Sequence, residues 1–339
     1  MMQKRLVRNI IWLVVLCVIS FGVGVIALCV GSGGIMLKDI PSILFSAGDS
    51  AAYSILIDIR LPRILLGFGV GGALSLAGVI LQAMFRNPLV EPYTLGISGG
   101  AALGACLAIV LNLAALCGAW CLPVSGFLGA CVVIMAVYFL AVRKHAMNTR
   151  DLLLAGVMIS FICSSLVMLV MAVSRAEELH GIIFWIMGSL EEPDILLVRI
   201  ALVVAVLSLA ASYFFCLDLN ALTLGEEEAA HLGVSVENTK RMLFLITCVA
   251  TGFSVSVAGV IGFVGLVVPH VMRLSFGNDH RFLLVASWVG GGAFLVLCDT
   301  VARIIISPLE LPVGVITGIL GGGVFIYVVG RKPAMAGDR

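Results

Sequence analysis

Long apolar stretches separated by short polar ones recur along the whole chain. Residues 10–30, 64–84 and 200–216 each approach the roughly 20 apolar residues that a helix needs to cross a bilayer core. Backbone groups in lipid must be hydrogen-bonded within a helix or a closed barrel, and the alternation typical of barrel strands is missing. The pattern therefore predicts an all-α integral membrane protein, a polytopic bundle of transmembrane helices that forms one domain over residues 1–339.

About ten spans follow from this pattern, and an even number leaves both ends of the chain on the same side of the membrane. We place the spans at 9–31, 64–85, 93–111, 123–142, 152–173, 195–216, 242–261, 263–276, 282–301 and 312–329. With both termini in the cytoplasm, most of the 20 lysines and arginines lie on the cytoplasmic side, as the positive-inside rule requires. The basic residues left outside are Lys38, Arg60, Arg63, Arg175, Arg199 and Arg303.

Composition supports this class and excludes others. Hydrophobic residues make up 61% of the chain and charged residues 12%, against about 45–50% and 25% in soluble domains. A net charge of +1 gives no reason to expect a nucleic acid partner. The ten cysteines lie mostly in apolar segments without a CxxC pair, which indicates small buried hydrophobes and no metal site. Cys117 and Cys121 flank a short loop, so a disulfide between them stays open.

The polar segments between the spans predict further short helices. The external residues 31–62 and 174–194 are long and carry apolar periodicity, which is typical of helices that lie at a membrane surface. The cytoplasmic residues 217–240 hold three consecutive glutamates and two alanines between two glycines. This composition predicts short surface helices rather than a flexible linker.

A short sequence in the second predicted span recurs in the seventh. Residues 75–80 read SLAGVI and residues 256–261 read SVAGVI, and LVEP at 89–92 resembles LVVP at 266–269. Because five spans separate the copies, they enter the membrane from opposite sides, as in the inverted repeats of many transporters. Small-residue motifs also recur by chance in membrane helices, which leaves coincidence as the alternative.

Glycine motifs point to helix packing rather than to nucleotide binding. Residues 67–72 match GxGxxG, but they lie within a span and follow no strand. The spacing GxxxG, which lets helix backbones approach closely, occurs at Gly67/Gly71, Gly100/Gly104 and Gly314/Gly318/Gly322. No P-loop sequence occurs, so any ATP chemistry belongs to a partner.

Charged residues within the spans are few, which separates the candidate classes. A proton- or ion-coupled transporter usually carries titratable groups there, and a membrane-embedded enzyme would need a catalytic cluster such as HExxH, which is absent. Asp299 and Arg303 lie four residues apart on one helix face, so we expect them to pair. Alternatively, Arg303 joins Arg60 and Arg63 in an outward-facing basic patch that docks an acidic partner. Interfacial snorkelling would explain each arginine singly.

Several motifs resemble one family of transporter subunits. They are Arg60-Leu61-Pro62-Arg63, Arg86-Asn87-Pro88-Leu89, Gly96-Ile97-Ser98-Gly99-Gly100, Leu224-Gly225-Glu226-Glu227, Pro269-His270-Val271-Met272-Arg273, Asp299-Thr300-Val301-Ala302-Arg303 and Glu310-Leu311-Pro312-Val313-Gly314. In this order and spacing, over about residues 59–330, the chain is similar to the permease subunits of FecCD-family ABC importers.

This resemblance implies a type II importer fold that works as a homodimer, or a similar heterodimer, in the bacterial inner membrane. The implied partners are two cytoplasmic ATPase subunits, which bind ATP and Mg²⁺, and an extracytoplasmic substrate-binding protein. The permease itself would be no enzyme and would hold no cofactor. The implied cargo is a ferric siderophore, a corrinoid or haem, and the alternative is a secondary transporter of a small solute.

The resemblance also assigns roles to residues. The ATPase-coupling residues of segment 217–240 would be Leu224, Gly225, Glu226, Glu227, Glu228, Ala229, Ala230 and Gly233. Binding-protein docking would fall on Arg60, Arg63 and Arg303. Asn87 and Leu89, in a turn stiffened by two prolines, would form a cytoplasmic gate with Asn148 and Thr149, although the prolines are equally consistent with a tight connection.

Overall fold

Ten long helices dominate the residues described by the computed structural model, which are 2–31, 37–45, 50–143, 146–147, 149–192, 194–306 and 309–330. These helices are α1 (Met2–Cys29), α2 (Leu61–Met84), α3 (Ile97–Val110), α4 (Cys121–Ala141), α5 (Thr149–Val173), α6 (Ile195–Phe214), α7 (Val236–Ala258), α8 (Val264–Phe276), α9 (His280–Ile304) and α10 (Val313–Gly330). Each falls on one predicted span. Seven are long and apolar enough to cross a membrane, whereas α3, α8 and α10 are shorter apolar helices.

Short elements fill the connections. The segments that the sequence places outside the membrane contain the helices Ile40–Phe45, Ala51–Ser54, Ala114–Cys117 and Ala176–Met187. They also contain the 3₁₀ turns Leu37–Asp39 and Gly118–Trp120, and a π-helical turn, Ile55–Arg60, that runs into α2. The other connections contain the 3₁₀ turn Pro92–Leu95, the helices Cys216–Leu222 and Glu226–His231, and an antiparallel pair of two-residue strands, β1 (Val142–Arg143) and β2 (Ala146–Met147). The predicted short helices in segments 31–62, 174–194 and 217–240 are therefore confirmed, although α7 begins within the last segment.

Local sequence explains where several helices begin. Pro62 lies in the first turn of α2, directly after the π-helical turn Ile55–Arg60, and offers no N–H for a hydrogen bond back into that turn. The Asp194 side chain accepts a hydrogen bond from Leu196 N at 2.8 Å and caps α6, and Asp279 caps α9 through Arg281 N at 3.1 Å. These caps fix the ends of helices whose apolar faces pack into the bundle.

Helix α2 lies at the centre of the bundle, and its most extensive neighbour is α9. Gly71 of α2 packs directly on the backbone of Gly291 in α9, leaving no room for a side chain at either position. Gly100 and Gly104 of α3 meet α4 in the same way. The packing role expected for these glycines is confirmed. It does not extend to Gly318, which has no neighbour within contact distance.

The helix packing follows the inverted repeat. When α2–α5 are matched in order with α7–α10, each contact in one half has a counterpart in the other. Thus α2 packs on α8 and α9, and its counterpart α7 packs on α3 and α4. Likewise, α3 packs on α4 and α5, and its counterpart α8 packs on α9 and α10. The local backbone differs between the copies, because Gly78 lies within α2 whereas Gly259 ends α7 with φ +70°. Both α3 and α8 begin after a residue with positive φ, Gly96 and Phe263.

Candidate functional site

An ionic cluster lies at one end of the bundle, which we call the outer end in accordance with the charge bias of the sequence. Arg63 Nε lies 2.9 Å from Asp299 Oδ1, and Arg63 Nη1 lies 2.6 Å from Glu310 Oε2 and 3.1 Å from Glu191 Oε1. Arg303 Nε approaches Asp299 Oδ2 at 3.1 Å, without hydrogen-bond geometry. The expected Asp299–Arg303 pair is confirmed. The cluster ties α2 and α9 to the linkers that precede α6 and α10.

Two arginines of the outer end also satisfy the last carbonyl groups of α1. Arg60 donates from Nη1 to Leu28 O at 2.6 Å and to Cys29 O at 3.3 Å. Arg303 donates from Nη2 to Ala27 O at 3.3 Å. The last carbonyls of a helix have no partner within it and carry partial negative charge, so two cations stabilise this end.

The three arginines do not form the exposed patch expected from the sequence. Arg60 is 3% exposed, and Arg63 and Arg303 are each 7% exposed. The expectation was wrong because a local sequence pattern does not show the carboxylate and carbonyl groups that these arginines contact within the protein, most of which lie far away in the chain. The exposed members of the cluster are carboxylates, since the side chain of Glu191 is 63% exposed and that of Glu310 is 39% exposed. The docking role of the arginines stays a prediction.

The pKa values of the two exposed carboxylates of the cluster are shifted in opposite directions. Although the Glu191 side chain is 63% exposed, its partial desolvation raises its pKa, and a hydrogen bond with Glu310 raises it further, against the opposing charge of Arg63. Burial also acts to raise the pKa of Glu310, but the hydrogen bond and charge of Arg63 outweigh it and lower that pKa. Arg63 therefore favours Glu310 as its ionised partner.

A cavity of about 510 Å³ opens beside the cluster. Its wall includes Arg63, Glu191 and Glu310, together with Trp185 of the outer helix Ala176–Met187 and Ser256 of α7. The cavity therefore combines an aromatic surface with charged groups. Sequence reasoning missed Glu191 as a site residue; its only signal was a carboxylate pair, Glu191-Glu192, in an external segment.

The segment 217–240 lies at the opposite, inner end of the bundle, and all eight predicted coupling residues lie in or beside its second helix. Gly225 and Gly233 bound that helix with φ +143° and +88°, values that favour glycine. Glu226, Glu227 and Glu228 occupy the first turn, where the helix dipole favours negative charge. Leu224 is exposed beside them, whereas Ala229 is fully buried and Ala230 is exposed.

Polar contacts fix this segment to two long helices. Lys240 Nζ of α7 lies 3.1 Å from Glu226 Oε1 and 3.0 Å from Oε2. Asn220 donates from Nδ2 to Asp279 Oδ1 at 3.2 Å, and its Oδ1 accepts from His280 N at 2.9 Å, at the start of α9. The segment is therefore held at both of its short helices.

The turn after α2 shares a cavity with this segment. Asn87 and Thr149, two of the four predicted gate residues, line an inner cavity of about 780 Å³ together with Arg86, Arg150 and Glu226. Asn87 Oδ1 accepts a hydrogen bond from Leu89 N at 3.0 Å, and the Leu89 side chain is exposed. The structure thus brings Asn87 and Thr149 together with Glu226, and Leu89 lies on the same turn. Asn148 lies outside the described residues.

The described cysteines and carboxylates give no sign of a metal site. No group of three or more His, Cys, Asp or Glu side chains suited to a metal ion occurs in the part of the chain that the structure describes. Cys121 is a free thiol, and the side chain of Cys117 lies outside the described residues.

Ten helices in two inverted halves, with few charges in the spans and an acidic helical segment at one end, define a membrane permease. The chain belongs to the FecCD transport family, whose family model matches residues 14–331. Membership places it among the permease subunits of ABC importers, which work with ATPase subunits and substrate-binding proteins. It is a multi-pass membrane protein.

Individual proteins support this membership. The hemin transport system permease protein HmuU of Yersinia pestis is 39% identical over 286 residues, covering 84% of this chain and 85% of HmuU. A vitamin B12 import system permease protein, BtuC, of Salmonella paratyphi A is 36% identical over 329 residues and 96% of each chain.

Solved structures resemble the fold. One, described as an inward-facing conformation of a metal-chelate type ABC transporter, has a TM-score of 0.82 at 29% identity, covering 94% of this chain and 98% of that chain. PsaBC from Streptococcus pneumoniae has a TM-score of 0.54 at 15% identity, covering 87% of this chain and 96% of its own, a likeness of fold alone.

Proposed function

We propose that this permease carries an iron chelate or a related metal chelate, such as a ferric siderophore, a corrinoid or haem, into the cytoplasm by alternating access. Relatives named for hemin and for vitamin B12 support this cargo class. The outer cavity suits it chemically, because the cavity pairs the Trp185 ring with charged groups. The observation that carries the ATP-driven mechanism is the acidic helix Glu226–His231, which shares a cavity with the turn at Asn87.

The working assembly contains two copies of this chain, two cytoplasmic ATPase subunits and one extracytoplasmic binding protein, in a bacterial inner membrane with both termini in the cytoplasm. Phe161 and Ile162 of α5 and Ile319 and Ile326 of α10 are exposed apolar side chains, which a second copy or lipid would cover. ATP and Mg²⁺ bind to the ATPase subunits, and this chain holds no cofactor and catalyses no reaction.

Coupling to the ATPase falls on Leu224, Gly225, Glu226, Glu227, Glu228, Ala229, Ala230 and Gly233. Leu224 is exposed and offers an apolar contact to a partner surface. When the ATPase subunits close on ATP, this helix moves with them. Its contacts to α7 and α9 then carry the motion into the bundle.

Docking of the binding protein centres on Arg63, with Arg60 and Arg303 holding the end of α1 beside it. In the free permease, Glu191 and Glu310 occupy Arg63 from the exposed side. Carboxylates of a binding protein replace them and form guanidinium–carboxylate pairs of the same kind, which are geometrically specific. The exchange releases the two linkers that the cluster holds.

The cytoplasmic gate falls on Asn87, Leu89, Asn148 and Thr149. Its support is the shared inner cavity at Asn87 and Thr149 and the exposure of Leu89 on the same turn. Arg86, which precedes Asn87, has φ +50°. This backbone conformation is unfavourable for arginine, so the surrounding structure must maintain it.

The test of cargo uses proteoliposomes that contain the permease with its ATPase subunits and binding protein. Labelled cyanocobalamin, haemin and ferrichrome are offered to the binding-protein side, with ATP and Mg²⁺ on the ATPase side. We expect ATP-dependent accumulation of at least one chelate and none of its metal-free form. If none of the three accumulates while a small solute such as an amino acid does, the chelate assignment is wrong.

A further inference from the structure

Lys240 is a buried cation at the inner end of α7. The residue is 2% exposed, which is rare for lysine because an ammonium loses its hydration on burial. Both carboxylate oxygens of Glu226 lie within 3.1 Å of Nζ. The sequence placed Lys240 at the edge of the cytoplasmic segment and gave it no role.

Glu226 connects this pair to the segment that faces the ATPase subunits. It is the first residue of the helix Glu226–His231, and its side chain is 41% exposed, so it reaches from a buried partner to the surface. Thr239, the neighbour of Lys240, donates from Oγ1 to Asp218 Oδ2 at 3.1 Å in the helix Cys216–Leu222. Consecutive residues of α7 therefore hold both short helices of the segment.

The same segment lies beside the turn after α2. A Cβ on Gly225 would lie 3.6 Å from Arg86 Nη1, and Glu226 lines the inner cavity with Arg86 and Asn87. The residues Gly225 and Glu226 thus lie between α7 on one side and the predicted gate on the other. A displacement of the helix Glu226–His231 must change one or both contacts.

We propose that Lys240 is a positioning residue that holds the helix Glu226–His231 to α7. Motion of this helix then moves α7 and the turn at Asn87 together. The proposal rests on the proposed ATP-driven function. The pair resists sliding because both carboxylate oxygens of Glu226 contact the buried ammonium, and moving Glu226 away removes its share in compensating that charge. Without the lysine, the helix follows the ATPase subunits while α7 stays in place.

The test compares three variants of the complete transporter complex in proteoliposomes. Lys240→Met removes the cation and Lys240→Arg keeps it. Arg241→Met is the matched control, because Arg241 pairs with Glu237 on the partly exposed face of the same helical turn. Two quantities are measured for each: chelate taken up per ATP hydrolysed, and the increase in ATP hydrolysis on adding the binding protein.

We expect Lys240→Met to lower chelate uptake per ATP by about tenfold or more and to abolish the stimulation by the binding protein. Lys240→Arg should recover at least a third of the wild-type ratio, and Arg241→Met should stay within twofold of it. The amount of ATPase subunit that copurifies with each variant shows that the complex is intact.

A wild-type ratio in Lys240→Met overturns the inference, and so does a loss that Lys240→Arg fails to recover, which would mark a purely structural role. Failure of the proposed function is distinguishable, because then the wild-type complex itself takes up no chelate. In that case the stimulation of ATP hydrolysis still decides the role of Lys240, since it requires no cargo.

Discussion

Arg63 of α2 and Asp299 of α9 form an ion pair, with Nε and Oδ1 2.9 Å apart, at the outer end of the two helices that pack most extensively. Asp299 is 1% exposed and also faces Arg303, so one buried carboxylate compensates two buried arginines. Removing its charge is expensive chiefly for Arg303, which then stays buried without a carboxylate in contact among the described residues, whereas Arg63 keeps Glu191 and Glu310. The pair therefore anchors the outer end of the bundle.

The substitution Asp299→Asn tests this anchor. Breaking a buried pair from one side costs about 3–5 kcal/mol, so we expect a loss of that order in the free energy of unfolding. Denaturant titration of the purified permease in detergent measures it. Asp58→Asn is the control, since Asp58 is an exposed carboxylate of the same end. Equal stability of the two variants would contradict the anchoring role.

The exposed carboxylates Glu191 and Glu310 give a test of docking that leaves the buried arginines intact. If they compete with the binding protein for Arg63, the double substitution Glu191→Gln and Glu310→Gln should tighten binding by about fivefold, or about 1 kcal/mol. Surface plasmon resonance on the permease in nanodiscs measures the affinity, at low and at raised salt, because the attraction is screened.

The control for this measurement is Glu177→Gln, an exposed carboxylate on the neighbouring outer helix. Its effect on affinity should be small and in no consistent direction. Weaker binding of the double variant would show that the binding protein uses the carboxylates themselves, and the docking role of Arg63 would have to be abandoned.

Glu191 also predicts a pH dependence of stability. Because its pKa in the folded chain is raised above the ordinary 4.5, chiefly by burial, protonation of Glu191 favours the folded state. The stabilisation is complete below pH 4.5 and is lost as the pH rises through the raised pKa. Glu310 has a lowered pKa, so its contribution is present above pH 4.5 and is lost only at lower pH.

We therefore expect the stability of the wild type, measured relative to Glu191→Gln, to rise as the pH falls from 7 towards 4.5. The difference between the two proteins isolates Glu191 from the other carboxylates that titrate in this range. Paired denaturant titrations at pH 7, 6 and 5 measure it. A difference that stays constant, or that falls, would contradict the raised pKa.

The sequence predicts the ten helices because each span must hide its own backbone from lipid, which leaves a strong hydrophobic signal. It also predicts the acidic helix at 226–231, since glycines, glutamates and alanines specify it locally. It did not predict the burial of Arg60 and Arg63. Their partners lie from 31 to 247 positions away, and no local pattern reports contacts of that range.

Gly71 shows the same division between local and distant information. Its spacing to Gly67 predicts close packing, but only the structure identifies Gly291 as the partner. We expect Gly71→Ala to destabilise the permease by about 1–3 kcal/mol or more, as overpacking does in tightly packed interiors. The matched control is Gly22→Ala in α1, where an added Cβ meets nothing within 4 Å. Equal thermal stability of the two variants would contradict the packing.

The source of energy for uptake tests the central claim most directly. Chelate uptake is measured in proteoliposomes of the complete complex, first with an ionophore that collapses all ion gradients, and then with ATPase subunits whose P-loop lysine is replaced. The account predicts that uptake persists with the ionophore and stops with the inactive ATPase. Uptake that stops with the ionophore and persists without ATP hydrolysis would show a secondary transporter and contradict it.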